Sequence, residues 1–390
     1  MVSTGVCGAP SPGSNPGRHP MTILCFLHFL QKKIKIFCTR YKKYVSSAVL
    51  LLGFVVDNFT FTRIDLWFDN LVLFFYLILV ALGIIFINLH NEGILKSKLI
   101  EKVSFWFVFL MQYAFGGLFS AFFIFYSRSG SFSTSWFFIF LLIGLMVSNE
   151  LFKERYLRFE FQVSLFFLAI FSFLTFFIPV VLSVLGVEIF LLSGIVSISF
   201  MILFLWFLSL FLPILVRNTR MVLMWSIGSI YLVINIFYFT NIIPPIPLSL
   251  KDAGVYHFVE RTNNGDYLAR YEKIEWYEFI KKYKNKITRV KGAPIYFYSA
   301  VFSPTNLDTK IIHSWQYFDT NKKEWGEMFH LKYNIFGGRD GGYRGYSFKE
   351  NITLGRWRVD VKTERNSLLG RYKFLVVDES TSLVLETHQL

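Results

Sequence analysis

The pattern of apolar and polar positions divides this chain into two halves that meet near residues 241–250. From about Tyr44 to residue 243, apolar runs of roughly 17 to 25 residues follow one another, the length that an α-helix needs to cross a bilayer. Further along, apolar residues alternate with charged ones between Gly and Asn turns, which is typical of strands. Pro244, Pro245 and Pro247 end any arriving helix and keep the chain extended. The pattern predicts a membrane α-helical bundle of about seven spans followed by an all-β, immunoglobulin-like sandwich domain.

Seven apolar runs qualify as spans of this bundle. The first and the fourth are the shortest, and the first carries Asp57 near one end. The candidate spans are residues 44–61, 68–89, 104–127, 134–149, 161–184, 187–213 and 221–243.

The basic residues between the spans predict the orientation of the bundle. If the amino terminus is inside, the outer loops carry only Arg63 and Arg128, and the cytoplasmic segments carry the other basic residues of this region. Such an excess is the positive-inside pattern of an inner-membrane protein, and an odd number of spans then puts residues 244–390 outside the cytoplasm. The inner residues are Lys32, Lys33, Lys35, Arg40, Lys42, Lys43, Lys96, Lys98, Lys102, Lys153, Arg155, Arg158, Arg217 and Arg220.

The polar half begins with a hairpin. Residues 255–261 and 267–271 flank Thr-Asn-Asn-Gly-Asp, and Asn-Gly supplies the positive φ that a tight turn needs. An amphipathic helix follows, with Trp276, Ile280, Tyr283 and Ile287 on one face. It either covers a sheet or lies on the outer leaflet with its lysines toward lipid head groups. The strands predicted after it are residues 295–303, 310–318, 328–336, 346–348, 355–362 and 371–377.

These strands are short, consecutive and not separated by helices, so they predict an antiparallel β-sandwich of immunoglobulin type. Trp357, Val359 and Val361 share one face of a strand, which we expect to be the core face. The predicted segments are a leader at 1–20, a basic cytoplasmic segment at 21–43, the membrane domain at 44–243, a linker with hairpin and helix at 244–293, and the sandwich at 294–390.

The leader has an unusual composition. Residues 1–20 are rich in Gly, Pro and Ser, and residues 13–16 read as a translated transfer-RNA T-loop. We hypothesise that Met21 is the true start and that residues 1–20 are a misassigned or disordered leader.

The composition narrows the function classes. The chain is 54% hydrophobic with 47 Phe, which indicates a membrane protein. Its net charge of +14 marks cytoplasmic loops or a face near anionic lipid rather than a nucleic-acid surface. The three cysteines all precede residue 39, so they give no disulfide framework to the β half. No nucleotide, zinc-protease or hydrolase motif occurs, and we predict no cofactor and no metal site. His257, His313 and His330 lie on separate predicted strands, which favours structural roles.

Two stretches carry candidate binding residues. The outer loop between the first two spans holds Asp57, Arg63, Asp65 and Asp69, which can bind a cation or a polar head group. The alternative is an interfacial loop in which Arg63 pairs with an Asp and Trp67 lies at head-group level.

The second stretch is the glycine-rich loop of residues 337–346. Its Arg339, Tyr343, Arg344 and Tyr346 supply planar groups that stack on sugars or bind phosphate and carboxylate. We expect Arg339 and Tyr343 to lie off the core face; the alternative is a connection whose Arg and Tyr pack on neighbouring strands.

Four motifs of the β half together resemble a known signature. The chain resembles the bacterial domain-of-unknown-function family 2914, in which several spans precede a carboxy-terminal β domain. The resemblance implies a bacterial origin and a shared fold, and it brings no known activity or catalytic residues. The motifs are Ile312-His-Ser-Trp315, Arg344-Gly-Tyr-Ser347, Gly355-Arg-Trp-Arg-Val-Asp-Val361 and Leu369-Gly-Arg-Tyr-Lys-Phe-Leu-Val376.

Three functions fit this organisation. The first is a non-enzymatic envelope protein whose β domain binds a glycan, a lipid head group or a protein outside the membrane. The second is a membrane carrier or flippase regulated by that domain. The third is an enzyme acting on a lipid-linked substrate, with the outer carboxylates as its source of acid and base.

Overall fold

The structure is a computed structural model of the full chain. It describes residues 53–61, 66–95, 98–129, 132–151, 158–245, 247–263, 265–272, 286–304, 309–335, 341–378 and 384–390. The predictions for the leader, for the basic segment, for most of the first span and for the helix at 276–285 lie outside these residues.

The first part of the described chain is helical. Residues 53–60 are helical, and six longer helices follow among the described residues. Five helices are long and apolar enough to cross a membrane by length and composition, and one has a shorter apolar stretch, Ser135–Ser148. The helices are α1 (Trp67–Asn91), α2 (Lys98–Ser129), α3 (Phe132–Leu151), α4 (Phe159–Leu182), α5 (Val187–Phe211) and α6 (Pro213–Phe239).

The helices pack through aliphatic and phenylalanine side chains. On α1, Leu73, Leu77, Val80 and Ile84 recur at intervals of three or four and are buried. Small residues allow close approach, because a Cβ at Gly117 would lie 2.6 Å from Cε2 of Tyr76.

Both ends of α6 differ from the ends predicted from the sequence. The helix begins at Pro213 rather than near residue 221, so Arg217 and Arg220 lie on the helix and not in a loop. Proline is favoured in the first turn, where its missing N–H costs no hydrogen bond. At the other end α6 stops at Phe239, before the prolines, because Asn241 adopts a φ of 56° and its N–H bonds to the Tyr238 carbonyl.

The second part consists of strands in three sheets. Sheet I has the order β1-β5-β8, sheet II β4-β10-β9-β6-β7 and sheet III β11-β3-β2. The strands are β1 (Ser249–Tyr256), β2 (Phe258–Arg261), β3 (Tyr267–Glu272), β4 (Lys286–Thr288), β5 (Ile295–Phe302), β6 (Thr309–Asp319), β7 (Glu324–Ile335), β8 (Tyr343–Lys349), β9 (Gly355–Thr363), β10 (Leu368–Val377) and β11 (Leu385–Gln389).

Sheets I and II enclose the main core of the β part. Phe297 and Val301 of sheet I meet Trp315, Trp357 and Val359 of sheet II in one buried cluster. The core face predicted for Trp357, Val359 and Val361 is confirmed, since all three are at most 2% exposed. The alternation of apolar and polar residues along β9 made this face readable from the sequence.

Sheet III covers the other face of sheet I. Tyr298 and Ala300 of β5 are buried against Val259, Tyr267 and Ala269 of sheet III. Strand β5 is therefore covered on both faces, which explains why its sequence is an almost continuous apolar run. The predicted hairpin is confirmed for β2 and β3, which pair antiparallel with Arg261 opposite Tyr267, but residues 255 and 256, predicted on the same strand as β2, belong to β1.

Three strands escaped the sequence analysis. The segment 249–256 pairs with β5 as β1, and residues 385–389 pair with β3 as β11. Ile287 lies on β4, not on a helix, and β4 pairs parallel with β10, so the sheet is not purely antiparallel. A strand of three residues such as β4 is too short to show an alternating pattern.

Candidate functional site

A buried network of polar side chains connects the two sheets of the sandwich. Nε2 of His313 hydrogen-bonds with Oγ of Ser299 at 2.8 Å and with the Tyr333 hydroxyl at 3.0 Å. Its Nδ1 lies 3.0 Å from Oγ of Ser347, which also accepts a hydrogen bond of 2.9 Å from Nε1 of Trp315. Ser299 and Ser347 belong to sheet I, and the other three residues belong to sheet II. The network therefore joins the sheets through hydrogen bonds inside an otherwise apolar core.

The burial of this network determines the protonation states of His313 and Tyr333. His313 is fully buried, and burial lowers its pKa to about 3. Burial also raises the pKa of Tyr333, which keeps the phenol protonated. A neutral imidazole with both nitrogens hydrogen-bonded has no lone pair left for a substrate. His313 is a structural histidine, as the sequence analysis predicted.

The outer face of sheet II carries a second set of matched polar groups. Arg371 donates two hydrogen bonds, of 2.6 and 2.7 Å, to the carboxylate of Asp360, which is 1% exposed. The hydrogen bond to Asp360 raises the pKa of Arg371. Next to this pair, Arg358 donates to Gln316, and Gln316 donates to Ser314. These groups already pair with one another, so this face is a poor candidate for ligand binding.

A groove opens where the sandwich is incomplete. Sheet II has five strands and sheet I has three, and β7 and β8 are the outermost strands of their sheets in the described part of the chain. The groove between them has a volume of about 580 Å³. Phe329 and Phe348 are 37% and 46% exposed there. The lining residues are Phe329, Leu331, Tyr346, Ser347, Phe348, Lys349 and Glu350.

The residues predicted to bind a ligand near residue 340 do not form one loop. Tyr343, Arg344 and Tyr346 lie on β8. Tyr343 packs against the main core, so the expectation that it lies off the core face is wrong. Arg344 pairs with Asp266 at 3.2 Å, and Arg339 lies outside the described residues. Of the four, Tyr346 lines the groove.

Tyr346 belongs to a cluster of aromatic rings between sheets I and III. Its ring centre lies 6.1 Å from that of Tyr267 and 5.9 Å from that of Tyr296. Phe348 extends this cluster, with its ring centre 5.4 Å from Tyr296. The Tyr346 and Phe348 rings therefore lie on the face of sheet I that meets sheet III, at the β8 edge of the groove.

Arg128, at the end of α2, contacts the described part of the segment that the sequence analysis predicted as a polar outer loop. Its guanidinium donates to the carbonyl of Phe61 at 2.7 Å and to that of Asn58 at 2.9 Å. Arg128 also interacts electrostatically with Asp69, which is 2% exposed. Among the described residues, Arg128 thus connects the end of α2 with residues 58–61 and with the start of α1.

The other members of the predicted outer cluster are placed only in part. Asp57 lies on the helical segment 53–60 and is half-buried, and its carbonyl accepts a hydrogen bond from the Phe61 amide at 2.8 Å. Arg63 and Asp65 lie outside the described residues. The predicted pairing of Arg63 with an Asp stays a prediction.

The β part is fixed to the end of α6 by the turn between β9 and β10. The guanidinium of Arg365 lies 3.7 Å from the centre of the Tyr238 ring and donates to the Tyr238 carbonyl at 3.1 Å. Tyr238 in turn stacks on Phe190 of α5, with ring centres 3.5 Å apart and an interplanar angle of 4°. Ser367 donates a hydrogen bond to the side chain of Asn241. The β part therefore sits on the helices through a stack of three planar groups.

A cavity of about 200 Å³ lies beside this stack. Pro179, Val187 and Phe190 form its helical wall, and the β9–β10 turn forms the other. Thr363 lines the cavity and is 8% exposed, and its Oγ1 has no hydrogen-bond partner within the described chain. A buried hydroxyl without a partner is costly, by roughly 1 to 3 kcal/mol.

Sequence reasoning did not find this junction. Glu364, Arg365 and Asn366 lie between the predicted strands 355–362 and 371–377, and nothing in the sequence links them to α6. One available signal was Tyr238, because tyrosine near the end of a span is typical of the membrane interface.

Amide side chains near span ends were also overlooked. Asn88 of α1 donates a hydrogen bond of 2.7 Å to Gln162 of α4, and both residues are at most 2% exposed.

Searched over the described residues, the chain has no group of three or more His, Cys, Asp or Glu that could hold a metal ion.

Comparison with known proteins gives few relatives. No curated protein matches the chain. Among solved structures, an immunoglobulin-like protein from Pseudomonas aeruginosa is 13% identical and covers 34% of this chain and 98% of its own, with a TM-score of 0.19. An alkylpurine DNA glycosylase from Pseudomonas fluorescens, bound to DNA with an abasic site analog, is 11% identical and covers 81% and 99%, with a TM-score of 0.20.

The family comparison falls on the β part. The match spans residues 308–376, from the start of β6 to the end of β10. It includes His313, Trp315, Ser347 and Trp357, which hold the sandwich together. These residues match the model described as protein of unknown function (DUF2914), and the resemblance stated from the sequence motifs is confirmed.

Proposed function

We propose that this chain is a multi-pass protein of the bacterial inner membrane that holds an immunoglobulin-like binding domain outside the cytoplasm. The groove between β7 and β8 is the binding site in this proposal, and its ligand is an extended segment of an envelope protein. The observation that carries the proposal is the open edge of β8 beside a groove with exposed Phe329 and Phe348.

The strand order supports the immunoglobulin-like assignment. Sheet I corresponds to strands A, B and E of that fold, and β10, β9, β6 and β7 correspond to G, F, C and C′. Trp315 is fully buried on β6, the position of the core tryptophan on strand C. Strands β2 and β3 of sheet III are then an insertion between β1 and β4, and its third strand, β11, follows β10.

The same correspondence explains the groove. In constant-type immunoglobulin domains a fourth strand pairs with strand E, which is β8 here. That position is open in the described chain, and the inward-facing Phe329 and Leu331 of β7 lie beneath it. An added strand satisfies backbone groups of β8 and covers these apolar side chains, which is the mode of β-strand addition.

The carrier alternative finds less support in the helices. Between Asn70 and Asn88, the buried face of α1 consists of Leu73, Leu77, Val80, Gly83, Ile84 and Ile87. A polar path across the membrane along this helix would need ionisable or amide groups among them.

The enzyme alternative relies on the outer carboxylates. Asp69 is buried and attracted by Arg128, an arrangement typical of a structural ion pair. The site that this alternative requires includes Asp65, which the described residues leave out.

The orientation can be tested with reporter fusions. An alkaline phosphatase fused after Leu390 is expected to be active, because it folds only outside the cytoplasm, and a green fluorescent protein fused there is expected to stay dark when exported unfolded. The matched fusions after residue 220 are expected to give the opposite result, since Arg217 and Arg220 belong to the cytoplasmic end of α6. A fluorescent fusion after Leu390 would contradict the odd number of spans.

The groove can be tested by substitution in the full-length protein. Phe348→Ser is expected to weaken capture of an envelope protein by about tenfold or more. The substitution removes an aromatic ring that is about half exposed beside the groove, and aromatic side chains often contribute most of the binding energy of an interface. Leu354→Ser is the matched control, since Leu354 is similarly exposed, at 40%, but does not line the groove. Binding is measured by pull-down from envelope fractions treated with protease, with muramidase or by lipid extraction.

The treatments distinguish the three ligand classes. Protease treatment alone is expected to abolish capture. Loss of capture after muramidase or lipid extraction would assign the groove to a glycan or a lipid. Equal capture by the Phe348 and Leu354 variants would place the binding surface elsewhere.

A further inference from the structure

The open edge of β8 runs away from the helices. Leu248, just before β1, and the turn between β9 and β10 line the cavity between the helices and the β part, so these ends of the strands lie next to the helices. Leu250 near the start of β1 pairs with Val301 near the end of β5, and Val301 pairs with Tyr343 at the start of β8. Tyr343 is therefore the end of β8 nearer the helices, and Lys349 is the far end.

The direction of β8 gives the groove a definite height above the helix ends. On the β8 side the groove is lined from Tyr346 to Glu350. With a rise of about 3.4 Å per residue, this stretch lies roughly 10 to 24 Å beyond Tyr343 along the strand. In the proposed membrane placement, an extended chain that leaves the bilayer reaches the groove within roughly 5 to 15 residues.

The β part is held firmly on the helices. The guanidinium of Arg365 lies over the Tyr238 ring and donates to the Tyr238 carbonyl, and Ser367 donates to the side chain of Asn241. Leu185, between α4 and α5, packs against the core cluster of sheets I and II. A loop of the helical part thus contributes to the core of the sandwich. A change in the height of the groove therefore requires breaking these contacts.

This mount favours a ligand that is itself held at a fixed height. Holding a site in one position lowers the entropic cost of binding only when the ligand arrives in a matching position. A soluble ligand approaches from any direction, so it gains nothing from a fixed height. A protein anchored in the same bilayer presents its extended segments at a constant distance from the membrane surface. The two halves of such an interface meet already aligned.

The side chains around the groove define the segment that fits it. A strand added to β8 points its side chains alternately to the two faces of sheet I. On one face these side chains meet Phe329 and Leu331, and on the other they meet Tyr346 and Phe348. Both surfaces are apolar or aromatic, which matches a short run of β-branched and aromatic residues. Proline does not fit inside the run, because the added strand donates backbone N–H groups to β8.

A second copy of this chain fits the open edge less well. Two copies in one bilayer both point β8 away from their helices, so the two edges meet as parallel strands. Parallel pairing is slightly less stable than antiparallel pairing. An antiparallel pairing of the two edges would point the helices of the copies in opposite directions.

We infer that the groove between β7 and β8 binds an extended segment of a second integral membrane protein, roughly 5 to 15 residues from the end of one of its spans. The segment adds to β8 as a strand and is rich in β-branched and aromatic residues. This assignment rests on the proposed function, which supplies the site and the membrane placement, and it names the class of protein that carries the ligand.

Photo-crosslinking from the groove tests this assignment. Phe348→benzoylphenylalanine keeps an aromatic ring at the groove and forms a covalent bond with a contacting chain under ultraviolet light. The full-length variant is irradiated in its own membranes, and mass spectrometry of the crosslinked peptide identifies the partner and the position of attachment. The attachment is expected within about 15 residues of a span of the partner. Before irradiation, the partner is expected to resist extraction from the membranes with alkaline carbonate.

Leu354→benzoylphenylalanine is the matched control for the crosslink. Leu354 is 40% exposed but does not line the groove. It is expected to give at least about tenfold less of the same adduct, because a crosslink needs direct contact with the bound segment.

The mount is tested in the crosslinking variant of Phe348. Arg365→Met keeps the length of the side chain and removes the guanidinium that holds Tyr238, so the β part gains freedom to move relative to the helices. The yield of the adduct is expected to fall about fivefold, since part of the alignment is lost. Arg356→Met is the matched control, because Arg356 is exposed at the other end of β9, and it is expected to keep the parent's yield.

Folding of the sandwich is checked in both variants by hydrogen exchange of residues 355–363. Tyr238→Leu is the second variant of the mount, since it removes the stack from the helical side and leaves the β part unchanged. Equal yields from Arg365→Met, Tyr238→Leu and Arg356→Met would overturn the inference, because the height of the groove would then have no effect on binding.

The crosslinks separate a failure of this inference from a failure of the proposed function. An adduct with a soluble protein, with a segment far from any span or with a second copy of this chain would overturn the inference and leave the groove as the binding site. Equal adducts from positions 348 and 354, or none from either, would overturn the proposed function itself and the inference with it.

Discussion

Replacing Trp357 with alanine is expected to lower the free energy of unfolding of the β part by about 3 to 5 kcal/mol. The side chain is 2% exposed and packs in the core between sheets I and II. Its Nε1 also donates a hydrogen bond of 2.8 Å to the Thr353 carbonyl. A loss of this size is a large share of the roughly 5 to 15 kcal/mol by which a domain is stable. The measurement is urea unfolding of the full chain in detergent, combined with hydrogen exchange of residues 355–363.

The chain offers a matched control for this substitution. Trp325 lies on β7, the last strand of sheet II, where its ring centre is 4.4 Å from Cζ of Arg358 and its side chain is only partly buried. Trp325→Ala is expected to cost about 1 kcal/mol, since a cation–π contact at the edge of a sheet contributes roughly that much. Trp357→Phe is expected to fall between the two, because it keeps most of the ring and loses the N–H. Equal losses in the Trp357→Ala and Trp325→Ala variants would contradict the assigned core.

The elements that the sequence predicted well are those with a strong local pattern. The second to seventh apolar runs are helices whose ends lie within a few residues of the predicted ones, except at the starts of α2 and α6. Strand β9 alternates strictly, and the hairpin of β2 and β3 carries its own turn signal. In each case the residues that decide the structure are neighbours along the chain.

The elements that the sequence missed depend on contacts between distant residues. Strand β4 has three residues and exists because β10 pairs with it. Arg365 meets Tyr238 across 127 positions of the chain, and Asn88 meets Gln162 across 74. Neither hydrophobic periodicity nor a turn signal in the sequence predicts contacts between residues so far apart in the chain.

The candidate binding residues show the same limit. Arg and Tyr in a glycine-rich stretch favour a binding loop on chemical grounds, and the structure puts Tyr343 against the core and Arg344 beside Asp266. Whether a side chain on β8 is exposed depends on which strand of sheet II lies opposite it. That arrangement follows from the unequal numbers of strands in sheets I and II. The groove at Phe348 therefore becomes visible only in the folded chain.

His313 makes the β part sensitive to acid. Its pKa is about 3 in the folded chain because burial disfavours the charged ring, and about 6.5 in an unfolded chain. Between these two values the unfolded state binds more protons, so stability falls as the pH is lowered from 6.5 toward 3. The expected slope from this residue is about 1.4 kcal/mol per pH unit, and above pH 6.5 its contribution no longer changes. Urea unfolding of the full chain in detergent at a series of pH values measures this slope.

The test of this prediction compares slopes rather than stabilities. His313→Gln keeps an amide that can bond to Ser299 and Ser347 and has no titrating group, so its stability is expected to fall less steeply between pH 6.5 and 4. Val361, which pairs with His313 in the sheet, gives the control. Val361→Ala is expected to be less stable than the parent at every pH but to keep the parent's slope, because His313 stays buried. If the parent and His313→Gln have the same slope, then His313 is not the group that destabilises the sandwich in acid, and the buried network would have to accommodate a charged ring.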